Sequence, residues 1–483
     1  MMFKRLISIF KNKIIFFVSL QYVIFFIQFI GSMIIAARLG PYYMGIWGFL
    51  LLILQYYSYV SIGADYSLNV LLIQNKNNRK LEVEIVSSSL FIQGIQASII
   101  ILFTFIVSFV TIPYFEKYSF SSFIWLVCCI SVIAQFNTIF LAIYRIRNDV
   151  RRMLFFQGII PFLSLVIAVF LSKSYLIYFL LIVYILGNCL AFIYFIKGFR
   201  LFSFKDFSKP VMGIIIKKGF FLIISNTCIL FIILSIRTII SSHYSVKEFG
   251  IFTFALTIAT AVFALLEGFS FLVYPKLLDS FTTTNQQTAT PKLNFIRMTY
   301  ITLIYGVAYL ALCFYPILII PFPEYKSALP LLNFITLSLL MKYNTIGYPD
   351  TLIARDHEKQ FSLFAAIALV VNIVSAIIAV KLFHVGFIYI IFSTFLAYLV
   401  YSIMVVWFGM KLYEDKSNNL LSELLPMRIL LPYLFAIFSC IIFPGIVSSF
   451  VTLIIFILLN IKEIKEIKTF IIKLINTPDI LHI

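Results

Sequence analysis

The sequence predicts an all-helical membrane protein with about 14 spanning helices: two six-helix lobes, as parallel repeats around a central cavity, plus two extra C-terminal helices. Of the 483 residues, 62% are hydrophobic and only 12% are charged, against roughly 25% charged in soluble domains. Most of the chain consists of apolar runs of about 17 to 25 residues, the length a helix needs to cross about 30 Å of hydrocarbon. Alternation of period two is absent, which indicates helices rather than barrel strands. A glycine motif also occurs twice.

Fourteen apolar runs define the predicted spans in chain order. The first lobe comprises 14–36, 46–73, 85–112, 121–143, 153–171 and 175–196, and the second comprises 220–240, 251–274, 298–320, 328–348, 361–380 and 385–408. Two shorter runs, 429–443 and 446–461, fall outside the repeat. These boundaries predict an N-lobe over 1–200, a C-lobe over 201–410, and a final segment over 411–483 that ends in a basic amphipathic tail.

The distribution of positive charge supports this map. The chain has 37 Lys and Arg against 19 Asp and Glu. With the N-terminus inside, most of the basic residues fall in the predicted cytoplasmic loops, as the positive-inside rule requires. We therefore expect both termini in the cytoplasm. Topology and attraction to anionic lipids account for the net charge of +18, so no nucleic-acid partner is expected.

The glycine motif predicts how the two lobes are related. The sequence GIWGF at 45–49 opens the second span, and GIFTF at 250–254 opens the eighth. These spans are six crossings apart, so both run in the same direction through the membrane. The lobes are therefore predicted to be parallel repeats, an arrangement that suits rocking of two bundles about a central site.

The last predicted helix is amphipathic. Ile464, Ile467, Ile471 and Leu474 form a stripe beside several lysines, a pattern typical of helices that lie in the membrane interface.

Catalytic and metal-binding patterns are absent from the sequence. The six cysteines fall inside predicted spans without metal-ligand spacing, and the four histidines are scattered. There is no phosphate-binding loop, dinucleotide fingerprint or nucleophile elbow. We therefore expect no enzyme, no ATP-driven pump, no metal site and no cofactor.

Short segments of both lobes carry a family resemblance. They are ARLGP at 37–41, SIGAD at 61–65, VKEFGIF at 246–252, YPK at 274–276, EYKSA at 324–328 and HVGF at 384–387. Over roughly residues 1–410 the chain resembles the polysaccharide and O-antigen (Wzx-like) flippases of the multidrug/oligosaccharidyl-lipid/polysaccharide (MOP) exporter superfamily. Arg237 is a departure, because many relatives have an acidic residue near the end of span seven.

The resemblance implies a carrier in a bacterial plasma (inner) membrane. Such a carrier moves an undecaprenyl-diphosphate-linked oligosaccharide from the cytoplasmic to the outer leaflet by alternating access, for O-antigen or capsule synthesis. Expected partners are this lipid-linked substrate, membrane lipids, and a polysaccharide polymerase with its chain-length machinery. The carrier is expected to be a monomer.

Buried cations are the candidate contacts for a diphosphate. A charge at mid-membrane costs at least about 2.5 to 3.5 kcal/mol and seldom faces lipid. We select Arg237, Arg38 and Lys342, with arginine favoured for its bidentate geometry. One alternative is that Arg38 snorkels to the outer interface. Another is that Lys342 only pairs with Asp65 or Glu267, the two acidic residues also considered for ion coupling.

Amides and aromatic side chains in the spans are candidate sugar contacts. They are Gln21, Gln28, Gln55, Tyr56, Gln93, Asn333 and Asn344. The alternative for each is a helix–helix hydrogen bond, worth about 0.6 kcal/mol.

Two other functions remain open. An ion-coupled multidrug antiporter of the same superfamily would share the two lobes, but should favour acidic side chains in its cavity. A membrane polysaccharide polymerase should have a long polar outer loop, whereas all the predicted outer loops are short.

Overall fold

The computed structural model describes residues 13–59, 64–75, 78–147, 149–199, 201, 206–283, 286–355, 357–412, 419–442 and 445–476. Within these ranges, the side chains of 13–18, 64–66, 70, 218–223, 225, 265–283, 286–296, 350, 354, 468 and 470–476 lie outside the description. The regular elements of the described residues are all helices.

Eighteen α-helices follow one another in the described residues. The N-terminal half contains α1 (Lys13–Ser58), α2 (Ala64–Gln74), α3 (Arg79–Ser108), α4 (Pro113–Glu116), α5 (Ile124–Ile146), α6 (Val150–Phe170) and α7 (Lys173–Ile196). Then come α8 (Lys209–His243), α9 (Val246–Thr283), α10 (Gln286–Ile319), α11 (Ala328–Tyr343), α12 (Tyr348–Ala354), α13 (Glu358–Lys381) and α14 (Ile391–Leu412). The last are α15 (Leu420–Leu424), α16 (Met427–Ile442), α17 (Ile446–Leu459) and α18 (Ile461–Asn476).

Most predicted spans coincide with a helix, whereas the second (46–73) is divided between α1 and α2 and the tenth (328–348) between α11 and α12. In the described part of the chain, ten helices are long and apolar enough to cross a membrane, and one of them, Ser19–Ser58, covers most of the first predicted span (14–36) and the beginning of the second (46–73). The bent pair Ile446–Leu459 and Ile461–Ile467 adds an eleventh candidate, while Ala328–Tyr343 and Met427–Ile442 are apolar but shorter. The predicted all-helical membrane fold is confirmed.

A kink separates the first two spans within α1. Gly40 has φ 68° and ψ 170°, and Pro41 follows it. A positive φ is readily adopted by glycine, and proline removes a backbone N–H from the helical ladder. The sequence ARLGP therefore turns the chain without a loop.

The chain divides into two compact units. Unit 1 comprises Met1–Thr227 and Ser241–Thr253, and unit 2 comprises Cys228–Ile240 and Phe254–Ile483. The boundaries between them cross α8 and α9 inside the helices.

In unit 1, α1 packs on α6, and α5 packs on α2, α3 and α7. The two copies of the glycine motif also meet in this unit. A Cβ at Gly45 would overlap the carbonyl oxygen of Val246, and a Cβ at Gly250 would overlap that of Pro41. Glycine at both positions therefore lets the backbones approach without an intervening side chain, as small residues do between membrane helices.

In unit 2, α14 packs on α11 and α13, while α10 packs on α11 and α17. Tyr305, Tyr309 and Tyr433 are buried together, with ring centroids 5.9 Å apart for Tyr305 to each of the other two. The Tyr433 hydroxyl donates to the carbonyl oxygen of Leu337 at 2.8 Å, which fixes α16 against α11. Tyrosine is well suited to this apolar site because its hydroxyl finds a backbone acceptor.

Candidate functional site

Span ten is an interrupted helix. The sequence predicts one continuous span over 328–348, but the structure has α11, four turn residues and then α12. Gly347 has φ 86°, a value that favours glycine. Carbonyl groups near the break are hydrogen-bonded: Ser402 Oγ donates to Met341 O at 2.7 Å, and Thr345 Oγ1 donates to Lys342 O at 2.8 Å. Interruptions of this kind persist in membranes only when protein or water satisfies the freed groups.

A buried ion pair holds one side of the interruption. The guanidinium of Arg297 bonds the carboxylate and carbonyl of Glu423, and its Nη2 also donates to Asn344 O at 3.2 Å. Arg297 is 1% exposed and Glu423 is 2% exposed. The Tyr348 hydroxyl donates to the same carboxylate at 3.0 Å, and the Tyr305 hydroxyl donates to Asn344 Oδ1 at 3.1 Å. This cluster ties α10, α12 and α15 to the break.

Lys342 lies in the last turn of α11, one residue before the helix ends at Tyr343. Its Nζ lies 5.4 Å from the ring centroid of Tyr343, within the range of a cation–π contact. The Tyr343 ring stacks on Phe263 of α9 at 5.1 Å. The ammonium group is therefore placed against an aromatic face at a broken helix, while Asn344 is turned toward the Arg297 cluster.

Arg237 lies in the same unit as Lys342, within the apolar stretch Asn226–His243. It is 5% exposed, and Ile236 and Ile240 beside it are fully buried. The neighbouring turn of α8 is fixed by Asn372 of α13, whose amide donates to Ile232 O at 2.8 Å and to Ser235 Oγ at 2.9 Å. A guanidinium is thereby positioned inside an apolar span.

Arg38 has a different setting in unit 1. Its side chain is exposed, and Nη2 donates to Val169 O at 3.0 Å. Val169 lies in the last turn of α6, where the carbonyl groups lack helical partners and attract cations. This contact is the one expected of an interfacial arginine.

The sugar candidates differ in their surroundings. In unit 1 the buried Gln93 donates to Gln135 Oε1, and Gln135 donates to Tyr57 O at 2.7 Å. Tyr57 OH and Thr104 Oγ1 are 3.1 Å apart, so this network connects α1, α3 and α5. The remaining candidates are exposed (Gln28, Gln55), half-buried (Gln21, Tyr56) or buried (Asn333, Asn344). The side chains of Asp65 and Glu267 lie outside the described residues.

Sequence reasoning missed a group of hydrogen bonds, within unit 1, between the two residues that follow α4 and the end of α8. Lys117 Nζ donates to Ser241 O at 2.7 Å and also to Tyr244 O. The Tyr118 hydroxyl donates to Ser241 O at 2.8 Å. Burial lowers the pKa of Lys117, while the carboxylate of Glu248 acts in the opposite direction. The ammonium group caps carbonyl groups at a helix C-terminus, where a cation is favoured.

No family model and no curated protein sequence matches the chain. Solved structures do match. "Lipid II flippase MurJ, inward closed conformation" gives a TM-score of 0.69 at 14% identity, covering 95% of this chain and 100% of that one. An inward-facing multidrug resistance MATE family transporter of the MOP superfamily gives 0.66 at 12% identity, covering 81% and 96%. Its outward-facing counterpart gives 0.60 at 12%, covering 86% and 96%. The chain therefore has the fold of MOP-superfamily transporters.

Proposed function

We propose that this protein flips an undecaprenyl-diphosphate-linked oligosaccharide from the cytoplasmic to the outer leaflet of a bacterial plasma membrane. It would act by alternating access and supply the synthesis of a surface polysaccharide such as O-antigen or capsule. The observation that carries the proposal is the buried guanidinium of Arg237 inside an apolar span. The likeness to a structure titled lipid II flippase, over 95% of this chain, supports it.

The chemistry of the substrate explains why a buried arginine would be retained. A sugar diphosphate cannot cross hydrocarbon unaided, because its polar groups would lose their hydrogen bonds to water. A guanidinium offers paired donors that match phosphate oxygens. The cost of keeping this charge buried inside an apolar span is offset when an anionic headgroup binds.

Lys342 supplies a second cation at a structurally suitable place. Discontinuous helices in transporters commonly form substrate and ion sites. Lys342 lies in the last turn of a helix that ends at such a break. Its ammonium group on the Tyr343 ring combines a positive charge with an aromatic face. We assign Lys342 to the diphosphate and the Tyr343 ring to the adjoining sugar.

Drug antiport is the second candidate, because MATE transporters share the fold. A cationic drug would be repelled by positive side chains in its binding site. Arg237 and Lys342 therefore favour an anionic substrate.

Replacing Arg237 by Ala is expected to lower surface glycan at least about tenfold, since a lost charged hydrogen bond costs about 1.5 to 3 kcal/mol. The measurement is lectin or antibody staining of cells that lack the chromosomal gene and express the variant. Arg237→Lys should retain partial function because it keeps the charge.

Lys381→Ala is the matched control, since it removes an exposed cation from the end of a span in the same unit. Quantifying each variant in the membrane fraction separates transport from folding. Wild-type glycan in cells with Arg237→Ala at a wild-type level of protein would overturn the proposal.

A further inference from the structure

A sharp corner joins the last two helices of unit 2. The helices Ile446–Leu459 and Ile461–Ile467 are bent by 75°. At the corner, Asn460 Nδ2 donates to Arg428 O at 3.1 Å and to Phe456 O at 2.9 Å. The chain therefore leaves an apolar helix almost at a right angle, in a direction fixed by a buried amide.

The helix beyond the corner, α18, has two different faces. At about 100° per residue, Lys462, Lys465 and Lys473 fall within about 80° of arc, and Ile464, Ile467 and Ile471 fall on the opposite side. Ile467 is buried at 7% exposure, and α18 packs on α10 and α17. Ile464 remains 37% exposed, so the apolar side extends past the protein contact.

Both acidic residues of α18 act on the protein itself. Glu463 forms an ion pair with Arg428 of α16. The pKa of Arg428 is lowered by burial, and the carboxylate of Glu466 opposes this shift. Lys462 and Lys465 are exposed, so their positive charge is directed outward, while the carboxylate of Glu463 is directed toward Arg428.

From this arrangement we infer that α18 lies in the headgroup layer of the membrane and binds anionic phospholipids through Lys462, Lys465 and Lys473. If the apolar helix α17 stands along the membrane normal, the bend of 75° directs α18 along the membrane plane. Its apolar side then meets acyl chains and its lysines meet phosphate groups, as in interfacial amphipathic helices. Charge complementarity selects anionic over zwitterionic lipid. The inference does not depend on which molecule the protein transports.

The test compares amide hydrogen exchange of the full-length protein in two kinds of lipid nanodisc. One contains phosphatidylcholine alone, and the other contains about 30% phosphatidylglycerol, enough to create a negative surface potential. Peptides covering 461–476 should exchange at least about threefold more slowly in the anionic discs, and added salt should remove the difference because it screens the charges. This comparison requires no mutation.

The variant K462Q/K465Q/K473Q should lose the difference between the two lipids. The matched control K247Q/K326Q/K381Q removes the same charge from exposed lysines that the sequence places on the outer side, and it should keep the difference. Equal exchange in both lipids for the wild-type protein would overturn the inference. So would an undiminished difference in K462Q/K465Q/K473Q, or its loss in the control.

Discussion

Replacing Arg297 by Met is expected to destabilise the protein by about 3 to 5 kcal/mol, because it leaves the carboxylate of Glu423 buried without its cation. Glu423 is 2% exposed, and the hydrogen bond donated by the Tyr348 hydroxyl does not supply the missing positive charge. The break in span ten would also lose the bond from Arg297 to Asn344 O. Thermal unfolding of the purified protein in detergent measures the effect.

A double-mutant cycle makes this prediction specific to the ion pair. R297M and E423L should each be destabilising, while R297M/E423L should recover a large part of the loss because no uncompensated charge remains. Additive effects of the two single changes would show that the pair is not coupled. A loss below about 1 kcal/mol for R297M would contradict the buried geometry.

Replacing Gly250 by Ala is expected to reduce the folded protein severely, since the new Cβ would overlap the carbonyl oxygen of Pro41. In an ordinary helix the same change stabilises by about 1 kcal/mol. Here the overlap involves backbone on both sides, so relief requires the helices to separate, at a cost of about 1 to 3 kcal/mol or more. Size-exclusion chromatography and thermal unfolding report the outcome.

Gly94→Ala is the matched control, because a Cβ at Gly94 meets no atom within 4 Å. It should be neutral or mildly stabilising. If G250A and G94A behaved alike, the close contact between the two glycine motifs would be ruled out.

The spans could be predicted from the sequence because the length of an apolar run is set by the thickness of the bilayer. Runs such as 153–171 and 361–380 coincide with α6 and α13 within a few residues. The two glycine motifs can also be recognised from the sequence, as the beginnings of corresponding spans in the two lobes. Their mutual contact could not be inferred, since spacing along a chain does not reveal which backbones touch.

The Arg297–Glu423 ion pair and the break in span ten could not be predicted from the sequence either, because local sequence does not show which distant residues meet. Arg297 and Glu423 are 126 positions apart, and each resembles an ordinary residue of a cytoplasmic loop. The break at 344–347 falls in a segment whose apolar residues continue on both sides, and Gly347 alone does not distinguish a break from a close helix contact. The burial of Arg237, in contrast, can be predicted from the sequence, because a charge inside an apolar run is costly and seldom faces lipid.

Flipping in vesicles that contain the purified protein tests directly whether the transported molecule is an anionic lipid-linked glycan, as we propose. The substrate is a labelled undecaprenyl-diphosphate oligosaccharide, and a membrane-impermeant glycosidase reports its arrival in the opposite leaflet. We predict protein-dependent flipping that falls at least about tenfold in Arg237→Ala, with no uptake of a cationic drug. Drug transport by the wild-type protein, together with glycan flipping no faster than in protein-free vesicles, would contradict the account.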